Sequence, residues 1–246
     1  VKQGRRDVSH ALLMTGENKD RSNEEGYTPL HLAVLEDDVP MTTYLLKAGA
    51  DVSLRVFADI KSVPLNIVKG EEVLDMCSAL DFAAVDGRVD LLRLLVGKGA
   101  EVNGWSEEYR TALHAAAIGN RVGSIDTLIE LGADVEGRYS DNGWKTPVEA
   151  AAEVDTIQAV MALVRHGADL NHDSKGRTPL HLACRKGNRE VITALLSHDA
   201  AINVRDQAGR SPLHDAALAG SAEAVDLLLG LGADATCIDG RSVTPL

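Results

Sequence analysis

Four histidines stand three residues after a threonine or serine: His31 after Thr28, His114 after Thr111, His181 after Thr178 and His214 after Ser211. A hydroxyl beside an imidazole is raw material for nucleophilic catalysis, and His with Cys is raw material for a zinc site. Neither chemistry finds its complement here. Ser78 and Ser211 stand where a hydroxyl is needed to cap a helix. Asp215 directly follows His214, and adjacent helical residues point to different faces, so the two form no relay. Cys77, Cys184 and Cys237 lie in separate segments, and His181 with Cys184 supplies two ligands at best, so no structural metal is expected. A phosphate cradle needs GxxxxGK[ST] or GxGxxG opening a helix after a strand, whereas the Gly97/Gly99 and Gly230/Gly232 pairs end helices. No catalytic residue, no cofactor and no metal are therefore expected, and the chain reads as a non-enzyme.

The segments that carry these residues recur. TPLHLA at Thr28 returns as SALDFA at Ser78, TALHAA at Thr111, TPVEAA at Thr146, TPLHLA at Thr178 and SPLHDA at Ser211, and TPL at Thr244 follows. The steps are 50, 33, 35, 32, 33 and 33 residues, close to one period and the mark of stacked repeats. In the cleanest unit Thr178 is the N-cap, Pro179 takes the first helical position, and Leu180 and Ala183 face one side. Gly187 supplies a positive-φ turn, and Val191, Ile192, Leu195 and Leu196 then mark a second amphipathic helix. Second helices end at Gly49, Gly99, Gly132, Gly167 and Gly232, with Asp199 in that place once, at slight strain. Turn-rich stretches such as AINVRDQAGR lead to the next unit as protruding fingers.

Composition sets the remaining bounds. Aromatic residues are 3% of the 246, which suits closely stacked helices built on small side chains. A formal charge of −12, from 25 Lys and Arg against 37 Asp and Glu, opposes nucleic-acid binding. Three cysteines without CxxC spacing suggest reduced thiols and an intracellular location, the cytoplasm before the nucleus. No apolar run reaches the ~18 residues of a membrane span. A start on Val1 and a stop within a repeat motif suggest a segment of a longer protein.

These motifs resemble the ankyrin repeat, whose period and TPLHxA signature they reproduce over nearly the whole chain. The resemblance implies an all-α solenoid of stacked helix-turn-helix units with finger loops. It divides residues 1–246 as one domain: a partial repeat over 1–27, repeats over 28–77, 78–110, 111–145, 146–177, 178–210 and 211–243, and a start at 244–246. It also implies that His31, His114, His181 and His214 are structural, through hydrogen bonds with the neighbouring Thr or Ser. Asp81 and Glu149 depart from the pattern at the His position, which predicts looser or differently bonded joints.

The same resemblance implies a protein or peptide partner in a concave groove between the fingers and the first helices, and a monomeric array without nucleic-acid or membrane partners. Carried over by position, the groove residues are Glu24, Glu25, Tyr27, Glu36, Asp75, Asp86, Glu107 and Glu108, and then Lys145, Lys175, Arg177, Arg185, Lys186 and Arg210. One end is acidic and the other basic, which would orient a dipolar partner, although charge on a solvated face also serves solubility. Tyr27, Tyr109 and Trp144 are candidate anchors, with packing against an adjacent finger as the alternative, and Trp105 is weighed in the same way. The long first step places an insertion within Leu54 to Asp75, whose SVPLNIV stretch is expected to pack on the array rather than meet a partner. A second reading makes the array the substrate-recruiting or regulatory region of a larger enzyme or channel.

Overall fold

A computed structural model describes residues 19–59, 74–105, 111–137, 145–172 and 176–246. Twelve helices in six pairs occupy the described residues. The pairs are α1 Pro29–Leu35 with α2 Val39–Lys47, α3 Ala79–Asp86 with α4 Val89–Val96, and α5 Ala112–Ile118 with α6 Val122–Glu130. They continue with α7 Pro147–Glu153 and α8 Ile157–Arg165, α9 Pro179–Lys186 and α10 Arg189–Leu196, and α11 Pro212–Leu218 and α12 Ala222–Gly230. Helices this short are marginal alone in water and depend on tertiary packing. The repeat supplies that packing, because within each of two compact units first helices lie on first helices and second helices on second helices.

The chain gathers into two compact units, one running to Ala133 and the other starting at Asp134. The division falls in the repeat whose step of 35 is the longest of the regular ones. In the first unit Leu30, Leu45, Leu91, Leu92, Leu95, Leu113, Ile125 and Leu128 are fully buried. In the second, Leu163, Leu180, Ile192 and Leu195 form the spine. Fully buried alanines such as Ala83, Ala116, Ala151 and Ala183 let neighbouring first helices approach.

Local signals act where the sequence places them. Pro179 sits at the start of α9 behind Thr178, and Gly187 ends that helix at φ 73°. Asp199 takes the left-handed conformation at φ 64° where the other second helices end on glycine. Gly119, by contrast, is required by proximity. A Cβ there would lie 2.5 Å from the carbonyl oxygen of Val85 and 3.2 Å from Val85 Cγ2. Arg121 Nε donates to that same carbonyl at 2.9 Å, tying the third pair to the second. Gly119→Ala should therefore lower stability by about 1–3 kcal/mol through overpacking. Urea unfolding followed by circular dichroism reads this directly, and an unchanged midpoint would mean that the two helix ends can part freely.

One element lies outside the periodic scheme. Strands β1 Arg55–Asp59 and β2 Leu74–Ser78 pair antiparallel, with Arg55 opposite Ser78 and Asp59 opposite Leu74. The surplus of the first step thus leaves and returns as two paired arms, an addition to the all-α expectation. Pairing satisfies backbone groups that a loop would leave to solvent, and Val56 is buried in it. The intervening residues, including SVPLNIV, lie outside the described residues.

Candidate functional site

The hydroxyl–imidazole pairs are inward-facing caps. Thr28 Oγ1 and His31 Nδ1 are 2.7 Å apart, and the equivalent pairs at Thr111, Thr178 and Ser211 are 2.9, 3.0 and 2.9 Å apart. The N–H groups of Thr178 and Ser211 donate to Nδ1 of His181 and His214 at 3.3 and 3.0 Å. Nδ1 is thereby an acceptor, which leaves the proton on Nε2. Nε2 then donates to the carbonyls of Arg210 and Val243, at 3.0 and 3.1 Å, each just before the next repeat motif. The rings of His181 and His214 thus each join two repeats. Burial holds His31 down at about 4, against the pull of the nearby Leu54 and Cys77 carbonyls, neither of which takes a well-formed bond from Nε2. Burial also lowers His181, with the Arg210 carbonyl opposing it.

The two departures from histidine are bonded differently. Asp81 Oδ2 accepts from the Ser78 N–H at 2.8 Å and from its hydroxyl at 2.7 Å, with Arg55 Nη1 3.6 Å away. Glu149, fully buried, accepts the Thr146 N–H on Oε2 at 2.6 Å while Oε1 faces His172 Nδ1 at 3.6 Å. A carboxylate can replace the imidazole because the cap asks only for an acceptor.

In the first unit, Glu24 and Glu25 are exposed ahead of Thr28, and Glu36 is half-buried. Tyr27 corrects the expectation made for it. Its ring is buried against Phe82, with centroids 6.0 Å apart, so it packs between repeats and presents no anchor. Asp86 is already engaged by Arg88, through Nε at 3.2 Å and Nη2 at 3.0 Å. Arg88 also donates to the Leu35 carbonyl at 3.2 Å and approaches Asp37. No local pattern marks Arg88 as such a tie. Trp105 remains 40% exposed. Asp75 lies in β2, its side chain outside the described set, as are Glu107, Glu108 and Tyr109.

In the second unit, Trp144 and Lys175 lie outside the described residues, and Lys145 pairs with Glu153. Arg210 grips Asp206 Oδ2 through Nε at 3.0 Å and Nη2 at 2.7 Å, and Arg177 Nε stands 3.7 Å from the same oxygen. Burial works against the Asp206 charge, yet the Arg210 bonds hold its carboxyl below the usual range. Arg185 and Lys186 are exposed on the last turn of α9. One repeat later, at the position of Arg185, Leu218 is 71% exposed. Three residues before Leu218, Asp215 is buried with Oδ2 unbonded, and burial pushes its carboxyl up despite His181, Arg177 and Arg210 nearby. Leu218 was legible in principle, because it stands seven residues after Ser211 as Arg185 does after Thr178. Asp215 was not.

Burial pushes the Cys184 thiol up, which makes it a poor nucleophile. Among the described residues no group of His, Cys, Asp or Glu gathers as metal ligands, and no helix is long and apolar enough to cross a membrane.

Three family descriptions match the chain: "Ankyrin repeats (3 copies)" over residues 148–239, "Ankyrin repeats (many copies)" over 80–129 and "Ankyrin repeat" over 25–55. Human Rabankyrin-5 is 31% identical over 182 residues, covering 73% of this chain and 15% of that protein. A Caenorhabditis elegans transient receptor potential cation channel subfamily A member 1 homolog is 25% identical over 197 residues, 66% of this chain and 16% of its own length. The chain thus spans less than a fifth of either relative. Among solved structures, the ankyrin repeat domain of Bcl-3 superposes with a TM-score of 0.71 at 26% identity, covering 90% of this chain and 93% of that one.

Proposed function

The chain belongs to the ankyrin repeat family, and on that premise we propose that it is a protein–protein interaction module that holds a partner between its fingers and the exposed turns of its first helices. The observation that carries this reading is the division of labour within each motif. Caps, histidines and leucines are consumed inward, while flanking positions point charge outward, at Glu24 in the first unit and at Arg185 and Lys186 in the second. Exposed charge of this kind can serve recognition. Arg177 and Arg210 form the finger side of the second unit's surface, and Glu36 and Asp86 the helix side of the first. The second reading, a recruiting or regulatory region within a larger enzyme or channel, is supported by the small share of its relatives that the chain covers.

The test is an affinity pull-down with the intact chain beside the double variant Arg177→Glu and Arg185→Glu. A partner of the proposed surface should bind the variant about tenfold more weakly at low salt, with its salt dependence changed. Equal affinity and an equal salt dependence would move recognition away from this surface.

A further inference from the structure

We infer that Arg177 anchors an aspartate or glutamate side chain of the partner, and that the buried Asp215 carboxylate takes up a proton from solvent as this contact forms. The inference rests on the proposed groove reading and specifies its occupant and its regulation. Lys145, Arg177 and Arg210 stand in successive repeats of the second unit, each directly before its capping Thr or Ser. Lys145 is taken by Glu153, and Arg210 holds Asp206 through two bonds to Oδ2. Arg177, with a neighbour of this kind on either side, differs from both. Its side chain is 25% exposed, and its guanidinium makes no hydrogen bond among the described residues.

The reason lies in Asp206. Its Oδ2 accepts Nε and Nη2 of Arg210, and its Oδ1 accepts the N–H groups of Ala208 and Arg210 at 2.9 and 2.8 Å. A carboxylate offers about four lone-pair sites, so none is left for Arg177, whose Nε stops 3.7 Å from Oδ2. Two guanidinium groups share one carboxylate, and the unbonded one keeps its fork of donors for a carboxylate from outside. Asp215 senses that arrival because it is 2% exposed, its Oδ2 has no donor, and Arg177 is among the charges it feels. From α9 it faces His181 and Cys184, and from the fingers Arg177, Asp206 and Arg210; α12, which also packs on α11, supplies none of these.

Burial keeps His181 neutral and the Cys184 thiol protonated, and the Arg210 bonds outweigh burial to keep Asp206 ionised. Asp215 is the group that titrates. A ligand carboxylate neutralises Arg177 and adds a like charge, which favours the O–H form of Asp215. Burial already places that proton's loss above the ordinary carboxylate range, and the ligand moves it higher. Affinity therefore rises as pH falls from neutrality, by about tenfold per pH unit at most for one proton, until the ligand's own carboxyl is protonated.

Short random peptides selected by phage display on the intact chain, then resynthesised, are the probes. They should share an Asp or Glu whose exchange for Asn or Gln costs about tenfold in the parent and little in Arg177→Gln, the signature of a direct pair. Calorimetry in buffers of different ionisation heat should show net proton uptake on binding. Asp215→Asn should bind but lose both the uptake and the pH dependence, which a merely structural Asp215 would leave in place. Circular dichroism confirms the fold of each variant. Peptides that weaken on Arg185→Glu yet ignore Arg177→Gln, or that need no carboxylate, overturn the inference and leave the groove reading standing. So does binding without uptake, or uptake that persists in Asp215→Asn. Peptides that respond to neither arginine end both readings.

Discussion

Leu180→Ala is expected to cost about 2–5 kcal/mol, the range for deleting a leucine side chain from a packed core. Leu180 is fully buried, and α9 lies between α7 and α11. Both neighbours pack on α9, and helices of seven to nine residues rely on such packing for their stability. Repeat stability is a sum of unit and interface terms, so a loss at the middle of three pairs weakens two interfaces. Thermal denaturation followed by circular dichroism reads the loss of the second unit's helices. An unaltered transition would place Leu180 outside the cooperative core.

Asp215→Leu is expected to act in the opposite direction and stabilise the protein by about 1–4 kcal/mol near neutral pH, as replacing buried charge with apolar packing can. The equivalent position holds Leu32 in the first repeat and Leu182 in the fifth, both buried, so the backbone accepts leucine there. Asp215 brings a carboxylate whose Oδ2 meets no donor. The pH dependence has a definite sign. Burial raises the folded-state pKa above the unfolded one, so the folded chain holds this proton more tightly. The contribution of the protonated form is fully present below the unfolded value and is lost as pH climbs through the folded value. The advantage of the leucine variant, and of Asp215→Asn, should therefore grow as pH rises out of the ordinary carboxylate range, then level off. Urea midpoints measured across that range decide it. A constant difference between variant and parent would show that Asp215 ionises as it does in the unfolded chain.

Such a gain implies that Asp215 is kept at a cost to stability. It lies buried among His181, Arg177 and Arg210.

The helix pairs were legible because their signals act over one or two turns. A threonine caps, proline starts, an acceptor three residues on closes the cap, and glycine or Asp199 turns the chain; each is complete within a few residues. The recurrence of these short signals then dictates stacking. The paired arms 55–59 and 74–78 were not legible as strands, since they meet across an intervening stretch and carry no turn signal between them that fixes a register. Tyr27 illustrates the same limit. A tyrosine before a cap is equally suited to a partner or to a neighbouring repeat, and only the position of Phe82 decides for burial.

By itself the sequence determined the repeat, its helices, their caps, and which positions flank them, because these depend on residues a turn apart. Tertiary structure alone decided which flanking charges remain outward. Arg88 takes Asp86, Arg210 takes Asp206 and Lys145 takes Glu153, whereas Arg185 stays exposed. Periodicity names a surface, but the charge that surface presents is what remains after every side chain has met its neighbours in space, and those meetings are set by packing between repeats.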